Sequence, residues 1–418
     1  MGLDLRQGPE VKTYSLPDHC LRVSLFAAAV TLPTSTILCN VSLLIAFAFG
    51  LVRYIRTKES TVSIALLPVT IFFITVLSIL YSQNLKTSFA WFELGTSLLF
   101  IPLTFVFGAG VIDKKFRDRL AIAFAAASIL WCIVAYVKIA ISSGNFIPMT
   151  SQTDYTYTDS FSRLAFEEAT HMHPSYLSVY LIFSLVIIFS TLKANNFIKA
   201  ALSVVIFIFL VIMSSKNQLA LFFLVISLLL WGHIKAPAKI KTTIVAGVVI
   251  VALAAGYFNG QVRHRFMNEL TKTLGDRIIL WNTGTKIILD HPLLGVGVGD
   301  TDDEMNKRLK EEGNSDLINY NMHNQYLDYW MMLGIAGIVS LIAILLIPIF
   351  RRVDTSFTFL IVIVGLSMLT ESMMYRHRGL VFFLFFYGLF GSDYIIRFKK
   401  QMNGNINSGS DSPRAEIS

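Results

Sequence analysis

The feature that most constrains this chain is a series of apolar segments, most of them about 17–25 residues long, separated by polar connections. Segments of this length cross the hydrocarbon core of a bilayer as helices, in which every backbone group is hydrogen-bonded within its own segment. Only 15% of the 418 residues are charged, against 54% hydrophobic, which is too few charges to solvate a globule of this size. The sequence therefore predicts an all-α polytopic membrane protein.

About twelve transmembrane helices can be placed on the apolar segments. They lie near residues 19–33, 35–52, 62–81, 94–112, 120–142, 174–192, 197–214, 218–232, 242–258, 325–350, 355–375 and 379–396. The first two are short and are separated only by Leu32, Pro33 and Thr34. They form either a tight hairpin or one interrupted helix.

The lysine and arginine residues provide an independent test, because they accumulate in cytoplasmic loops. Clusters of them occupy alternate connections: Arg53, Arg56 and Lys58; Lys114, Lys115, Arg117 and Arg119; Lys193; Lys235, Lys239 and Lys241; Arg351 and Arg352; Arg397, Lys399 and Lys400. All these clusters lie on one side of the membrane if both termini are cytoplasmic.

Four regions follow from this topology. Residues 1–257 hold helices 1–9 with short loops, and 258–324 form a large extracytoplasmic (periplasmic) helical loop. Residues 325–397 hold the last three helices, and the polar segment 398–418 is a disordered cytoplasmic tail. The large loop therefore directly precedes the last three spans.

The net charge of +8 does not indicate a nucleic-acid partner, because much of it lies in short loops beside anionic headgroups of membrane lipids. The three cysteines, Cys20, Cys39 and Cys132, have no CxxC spacing. They therefore indicate neither a metal site nor a disulfide framework.

The large loop carries basic residues that the orientation of the chain in the membrane does not require, and Arg277 is the most informative of them. It lies in "LGDRIILWN" (274–282), the start of a stretch with helical spacing. That spacing allows Arg277 to face a site while these residues lie against the membrane surface: Ile278, Leu280, Trp281, Thr285, Ile288 and Leu289. A guanidinium presents a fork of donors that suits phosphate oxygens. The alternative is an interfacial arginine that reaches lipid headgroups.

His323 stands at the mouth of a predicted membrane helix, in "HNQYLDYWMMLGIAGI" (323–338). A neutral imidazole at this place can take a proton from an acceptor hydroxyl, because histidine titrates near physiological pH. The alternative is a helix-capping or interfacial histidine. Farther along the same helix, Gly334 and Gly337 permit close contact with another segment.

Two extracytoplasmic motifs have both a metal-binding and a structural interpretation. His171 and His173 form an HxH pair without a clear third ligand, so they line an acceptor cleft or lie in the interface. The acidic run "DTDDE" (300–304) has an Asp-x-Asp pair, but Thr301 and Glu304 also have capping-box spacing, which we favour. No metal site is therefore predicted. The glycine-rich "GVGVGD" (295–300) is interpreted as a turn.

The stretches 274–300 and 323–338, in a chain of about twelve spans with its large loop before the last three, resemble the superfamily of O-antigen ligases and O-antigen polymerases. The resemblance covers the topology of the whole chain, but only these two stretches are motif-like. It implies a glycosyltransferase of the bacterial inner membrane, active at its extracytoplasmic face, that moves a glycan from undecaprenyl diphosphate to an acceptor without a cofactor or a required metal. The acceptor is lipid A core for a ligase, another lipid-linked repeat unit for a polymerase, or a protein in a related branch.

The resemblance also implies roles for individual residues. Arg277 matches the family arginine that contacts the diphosphate, and His323 matches the histidine that activates the acceptor for inverting displacement. A further family arginine aligns with "IMSSKNQLALFF" (212–223), where this chain has Lys216. Lysine supplies charge but no bidentate contact, so Lys216 binds as a point charge or another arginine replaces it. The candidates for that replacement are Arg163, Arg376 and Arg378.

Glu371 is a notable acid because it falls inside the predicted span 355–375. Charged groups within spans are commonly functional, so Glu371 is interpreted as a relay or as a partner of Arg376 or Arg378. A transporter of lipid-linked glycans is the alternative from a different functional class. Transporters tend to have repeated halves and charges near the midplane, whereas this sequence has no convincing repeat and its charges gather on one face.

Overall fold

The computed structural model of the protein describes residues 14–60, 62–144, 163–213, 216–258 and 270–395. This part of the chain is helical, and its β-structure is limited to an isolated bridge between Ser63 and Ile395. The predicted all-α class is therefore confirmed. The predicted tail 398–418 and residues 259–269 of the predicted loop lie outside the described residues.

The α-helices are numbered here in chain order. They are α1 (Leu16–Thr31), α2 (Thr36–Thr57), α3 (Val69–Ile79), α4 (Leu85–Phe107), α5 (Lys114–Ser143), α6 (Arg163–Thr170), α7 (Pro174–Ser190), α8 (Asn196–Met213), α9 (Lys216–His233), α10 (Ala238–Phe258), α11 (Leu270–Asp290), α12 (Thr301–Glu311), α13 (Gln325–Phe350), α14 (Thr355–Ser367) and α15 (His377–Gly391). Short 3₁₀ turns lie at Ile64–Leu66, Ser315–Leu317 and Met373–Tyr375.

Five of the described helices are long and apolar enough to cross a membrane, judged by length and composition: α2, α4, α5, α8 and α13. Five shorter apolar segments accompany them, at Ile64–Ile79, Pro174–Ser190, Asn217–His233, Thr355–Ser367 and His377–Gly391. The polytopic class is confirmed, while the number of twelve spans stays a prediction. The first two apolar segments are α1 and α2, which pack against each other as a hairpin, so the interrupted-helix alternative is wrong.

Two helices lie at the centre of the bundle. Every residue of α7 from Tyr176 to Ile188 is buried, and so is every residue of α15 from Gly379 to Gly391. A helix that is apolar on all sides is buried on all sides, and these two are surrounded by α4, α5, α8, α9 and α14. Close packing requires small residues here: a Cβ on Gly388 would approach the Phe105 ring to 2.3 Å.

A second, smaller core lies in what we call the loop subdomain, residues 270–323. Its side chains come from α11, α12, the adjacent 3₁₀ turn and the start of α13: Leu280, Ile287, Ile288, Met305, Leu309, Leu317, Met322 and Met331. The loop therefore folds as a compact helical unit. Its position outside the cytoplasm stays a prediction.

The loop subdomain is joined to the bundle where residues 292–297, the crossing segment, pass over a break in α13. The Met331 carbonyl accepts a hydrogen bond from Val296 N at 2.9 Å. Ile335 N, which would donate to Met331 in a regular helix, donates to the Pro292 carbonyl at 3.1 Å. Backbone groups freed by the break are therefore satisfied by the crossing segment.

Glycine makes this crossing possible. Gly334 has φ +65° and ψ −158° inside α13, and a Cβ there would lie 2.1 Å from the Leu293 carbonyl oxygen. Gly295, with φ +71°, also leaves no room for a side chain, since its Cβ would lie 2.6 Å from Gly334 N. The predicted turn at 295–300 is thus confirmed, and the close contact expected of Gly334 is made with a loop.

Candidate active site

His323 is held in a defined conformation just before α13. Its φ of +48° is unusual for a residue with a side chain. The backbone N of His323 donates to Asn321 Oδ1 at 3.0 Å. Asn324 is the N-cap of α13 and accepts from Tyr326 N and Leu327 N. Two asparagines therefore fix the backbone on either side of the imidazole.

Glu371 is the acidic neighbour of His323. The Nδ1 atom of His323 lies 3.7 Å from Glu371 Oε1, and the side chain of Glu371 is only 17% exposed. Because α14 ends at Ser367, Glu371 lies in the connection to α15. The prediction that Glu371 lies inside a span is therefore wrong, since the apolar residues that follow Ser367 extend the hydropathy signal beyond the end of the helix.

Two further basic residues interact electrostatically with Glu371. Burial alone raises the pKa of the Glu371 carboxyl, but interactions with His323, His173 and Arg277 outweigh it, so the pKa lies below its usual range. These residues come from the start of α7, from α11 and from the start of α13. The fold thus gathers groups that lie as far apart in sequence as residues 173 and 371.

Arg277 lies in the second turn of α11 and is half-buried. Burial lowers the pKa of its guanidinium, and the nearby carboxylate of Glu371 opposes that shift. One turn farther along the helix, Trp281 Nε1 donates to the Met322 carbonyl at 2.7 Å. Because Met322 directly precedes His323, this bond holds α11 beside the histidine.

The amphipathic interpretation of α11 requires a correction. Leu280 and Ile288, expected at the membrane surface, are buried in the core of the loop subdomain, as are residues of α12 that pack on them. Ile278 and Leu289 are exposed, as is Thr285. The helix therefore buries one apolar face in the subdomain and exposes a second, narrower one.

Only one histidine of the HxH pair is placed at Glu371. His173 is the N-cap of α7, and its Nδ1 atom accepts from Ser175 N at 3.4 Å. His171 is exposed on the preceding turn with φ +52°. The capping contact gives His173 a structural role in addition to its interaction with Glu371.

Lys216 and Arg163 are the first residues of α9 and α6, and their side chains lie outside the described part of the structure. Gln218, two residues after Lys216, is buried, and its Oε1 atom accepts from Ser367 Oγ at 3.5 Å. The start of α9 therefore lies against the end of α14, four residues before Glu371. A cavity of about 280 Å³ lies between these two helix ends.

The remaining arginines are placed differently. Arg376 is exposed at the N-cap of α15. Arg378 points to the α1–α2 turn, where its Nη1 atom donates to the Pro33 carbonyl at 3.4 Å. Among the described residues the ion pair of Glu371 is with His323, and neither Arg376 nor Arg378 forms the predicted ion pair with it.

The acidic run at 300–304 has a structural role that differs from the predicted capping box. Asp300 is the N-cap of α12, but its carboxylate accepts from the backbone N atoms of Gln83 and Asn84 in the α3–α4 turn. Thr301 Oγ1 donates to the Gly297 carbonyl at 2.9 Å. The prediction of a capping box formed by Thr301 and Glu304 is therefore wrong, because Thr301 is the first residue of the helix and Asp300 is its N-cap.

Sequence reasoning assigned no role to Gln325 and Asp328, both of which are fully buried beside the site. Asp328 accepts from Ser372 Oγ, and Gln325 contacts the backbone of the same α14–α15 connection. The available signal was the occurrence of two polar residues in the first turns of an otherwise apolar helix.

Comparisons with known proteins match this chain to O-antigen ligases. A family profile described as O-antigen ligase matches residues 179–342, which include Arg277 and His323. The O-antigen ligase of Escherichia coli (strain K12) is 22% identical over 364 residues, covering 79% of this chain and 84% of the relative. An uncharacterized protein of Haemophilus influenzae is 33% identical over 85 residues, covering 20% of this chain and 21% of that protein. Together with the apolar helices, these matches support a multi-pass glycosyl-transfer enzyme of the bacterial inner membrane, with a role in lipopolysaccharide biosynthesis. The chain is thus similar to O-antigen ligases both in its family profile and along most of its length, which supports the superfamily of O-antigen ligases and O-antigen polymerases.

Proposed function

We propose that this protein is an O-antigen ligase that transfers a glycan from undecaprenyl diphosphate to a hydroxyl of lipid A core at the outer face of the inner membrane. The observation that carries the proposal is the convergence of His323, Arg277 and His173 on Glu371. A general base and a fixed cation that both interact with one carboxylate supply the two functions that glycosyl transfer from a diphosphate needs.

Arg277 binds and stabilises the diphosphate. It is always charged, and its planar guanidinium can donate two parallel hydrogen bonds to phosphate oxygens. Partial burial strengthens its interaction with an anionic ligand, because less water screens the charge. Lys216 adds a second positive charge from the start of α9, which lies near the end of α14.

His323 removes the proton of the acceptor hydroxyl. The O–H bond breaks, the proton moves to the imidazole, and the hydroxyl oxygen forms a bond to the anomeric carbon of the donor sugar. The bond from that carbon to the diphosphate oxygen breaks at the same time, and its electron pair leaves with the diphosphate beside Arg277. Attack from the face opposite the leaving group inverts the anomeric configuration. In this scheme the cationic side chains stabilise the leaving group, so no metal is required.

The choice of lipid A core as acceptor rests on the relative from Escherichia coli, which is named an O-antigen ligase and matches most of both chains. A repeat-unit polymerase of the same superfamily would use the same donor chemistry with a lipid-linked acceptor. A transporter would move the lipid-linked glycan without cleaving it.

The experiment is the lipopolysaccharide banding of a deletion strain carrying the wild-type gene, His323→Ala, His291→Ala or an empty vector. We expect His323→Ala to lose the whole ladder and to accumulate glycan on undecaprenyl diphosphate. His291 is the matched control, because it is exposed at the end of α11. A single-repeat band on core in the deletion strain would assign a polymerase instead, and an unchanged ladder there would refute both.

The role of Arg277 is tested by transfer in proteoliposomes. We expect Arg277→Ala to lower the rate by about 10²–10³-fold, as removal of a transition-state donor does. Arg277→Lys should recover only part of the activity, because lysine lacks the bidentate geometry. Arg119→Ala is the control, an exposed arginine of α5. Full activity of Arg277→Ala would refute the assigned role.

A further inference from the structure

The connection between α14 and α15 is attached to α13 on both sides of Glu371. Before Glu371, the Met368 carbonyl accepts from Gln325 N at 2.9 Å. After it, Gln325 Oε1 accepts from Met374 N at 2.6 Å, and Asp328 Oδ2 accepts from Ser372 Oγ. The segment around Glu371 is therefore held by the backbone and side chain of Gln325 and by the side chain of Asp328, two residues of one helix.

That helix begins two residues after His323, so the same element fixes both members of the pair. Gln325 and Asp328 are 0% exposed. Removing either would leave buried polar groups of the connection without partners, which typically costs about 1–3 kcal/mol for each group. The separation between His323 and Glu371 is therefore set by a short, buried polar network.

The ring of His323 also has an unsatisfied group that faces Glu371. Its Nδ1 atom is inaccessible to solvent and has no hydrogen-bond partner in the described part of the chain. Glu371 Oε1, at 3.7 Å, lies beyond hydrogen-bond distance by roughly 0.5–0.8 Å. A small side-chain rotation closes that gap, and contacts of this kind commonly tighten when substrate binds.

We propose that Glu371 is a positioning residue for His323. Its carboxylate accepts the Nδ1 proton, which leaves Nε2 as the atom that takes the proton of the acceptor hydroxyl, and Gln325 with Asp328 holds the carboxylate in place. The carboxylate then stabilises the imidazolium formed by that transfer and keeps its own unprotonated state throughout. This inference rests on the proposed function, in which His323 is the base.

A double-mutant cycle tests the proposal in proteoliposomes with a lipid-linked glycan donor and purified acceptor. We expect Glu371→Gln to lower kcat by about 10²–10⁴-fold while the KM for the donor stays within about twofold, because the residue acts on the base. In a His323→Ala background, the same substitution should have no further effect on the residual rate. Independent, multiplicative losses, or a large rise in KM for the donor, would overturn the positioning role.

A second readout needs no substrate and therefore separates this inference from the proposed function. In protein labelled with ¹⁵N-histidine, the signal absent from His323→Ala identifies the ring of His323. We expect neutral His323 to carry its proton on Nδ1 in the wild type and to shift towards the other tautomer in Glu371→Gln. An identical tautomer in both proteins would refute the inference even if glycan transfer occurs.

The buried network is tested with Asp328→Asn, which keeps the shape of the side chain. We expect a loss of kcat smaller than that of Glu371→Gln, together with a partial shift of the His323 tautomer. Glu311→Gln is the control, since Glu311 is exposed on α12.

Unfolding temperatures of all variants show whether the fold is retained, and Glu371→Asp provides a second, charge-preserving substitution. If the charge matters, Glu371→Asp should have higher activity than Glu371→Gln and a His323 tautomer closer to that of the wild type. Equal losses in the two variants would contradict a role of the charge.

Discussion

The bundle and the loop subdomain bury apolar side chains in two different ways. In the bundle, rings such as Phe124, Phe382 and Phe386 pack against one another, with ring centroids 4.7–5.6 Å apart. In the loop subdomain a core of eight side chains is bordered by ion pairs, among them Lys286 with Glu312 and Arg308 with Asp290. The core of the bundle is stabilised by close packing, because lipid tails are as apolar as the side chains and burial from lipid adds little hydrophobic free energy. Folding of the smaller core can instead be driven by the removal of apolar side chains from water.

The candidate site lies where these two regions meet. Arg277 belongs to the loop subdomain, His173 and Glu371 to the ends of bundle helices, and His323 to the last residues before α13. Helix α13 contributes Met331 to the small core and Leu341 to the large one. The two regions therefore share one helix, and substitutions in each core can separate their contributions to the stability of the protein.

The largest effect is expected from Gly334→Val, which removes the junction. A valine at φ +65° is strained, and its Cβ would overlap the Leu293 carbonyl, so we expect a loss of about 3–5 kcal/mol. Both regions should be affected, because the crossing segment cannot satisfy the broken backbone of α13. Unfolding in mixed detergent micelles and proteolysis of the loop subdomain measure the two parts.

Gly365→Ala is the matched control for that substitution. A Cβ on Gly365 would make only ordinary contacts, at 3.5 Å or more, inside α14. We expect little change or a small gain of stability, up to about 1 kcal/mol, because alanine favours the helix. A Gly334→Val protein as stable as Gly365→Ala would show that the crossing is unimportant.

An intermediate effect distinguishes the driving forces of the two cores. Leu309 and Leu360 are both 0% exposed, the first in α12 and the second in α14. We expect Leu309→Ala to destabilise the loop subdomain by about 2–5 kcal/mol, as in proteins folded in water. Leu360→Ala should destabilise the bundle by roughly 2 kcal/mol less, because transfer from water, worth about 0.8 kcal/mol per methylene, is absent in lipid.

Measuring the two leucine variants in the same preparations completes that comparison. Urea-dependent proteolysis follows the loop subdomain, and unfolding in mixed micelles follows the bundle. Equal losses of stability would indicate that the hydrophobic effect contributes equally to the two cores, contrary to the expected difference. A smaller loss for Leu309→Ala than for Leu360→Ala would contradict the comparison directly.

The smallest effect is expected at the polar border of the loop subdomain. Hydrogen bonds from Lys286 and from Thr283 hold the pKa of Glu312 below its usual range. Stability from this group is therefore present above the ordinary glutamate pKa of about 4.3 and is lost as the pH falls through the lowered value. Glu312→Gln should remove about 1 kcal/mol near neutral pH and abolish this part of the acid sensitivity.

Glu311→Gln is the control for that pH dependence, because Glu311 is exposed and its nearest ion pair, with Arg308, is at 4.0 Å. Urea-dependent proteolysis between about pH 3 and pH 7 compares the two variants with the wild type. The assignment to Glu312 fails if Glu311→Gln and Glu312→Gln have the same acid profile.

Much of the fold follows from local sequence, but the site follows only in part. Apolar segment lengths predict the helices, and Arg277 and His323 stand out because each is a cationic or titratable group beside an apolar stretch. Glu371 was assigned to a span because Met373 and Met374 continue the apolar pattern beyond the helix end. The two methionines are buried against other elements, a tertiary effect that hydropathy does not record.

The contacts that assemble the site are long-range, which explains why motifs alone did not reveal them. Trp281 bonds to a carbonyl 41 residues away, and Gln325 to a backbone amide 49 residues away. Asp300 caps a turn 216 residues earlier in the chain, so its local capping-box pattern was misleading. Partners at such separations are chosen by packing, and a single sequence carries no direct signal for them.

The exchange of hydrogen bonds at Gly334 has a consequence for biosynthesis. The crossing segment is made before α13, yet its donors at Val296 and Gly297 bond to carbonyls of Met331 and Met332, which are translated more than thirty residues later. Until α13 arrives, the crossing segment lacks its partners, and until the segment docks, α13 enters the bilayer with unpaired carbonyls. Membrane insertion of this helix and folding of the loop outside the bilayer are therefore expected to be a single, coupled event.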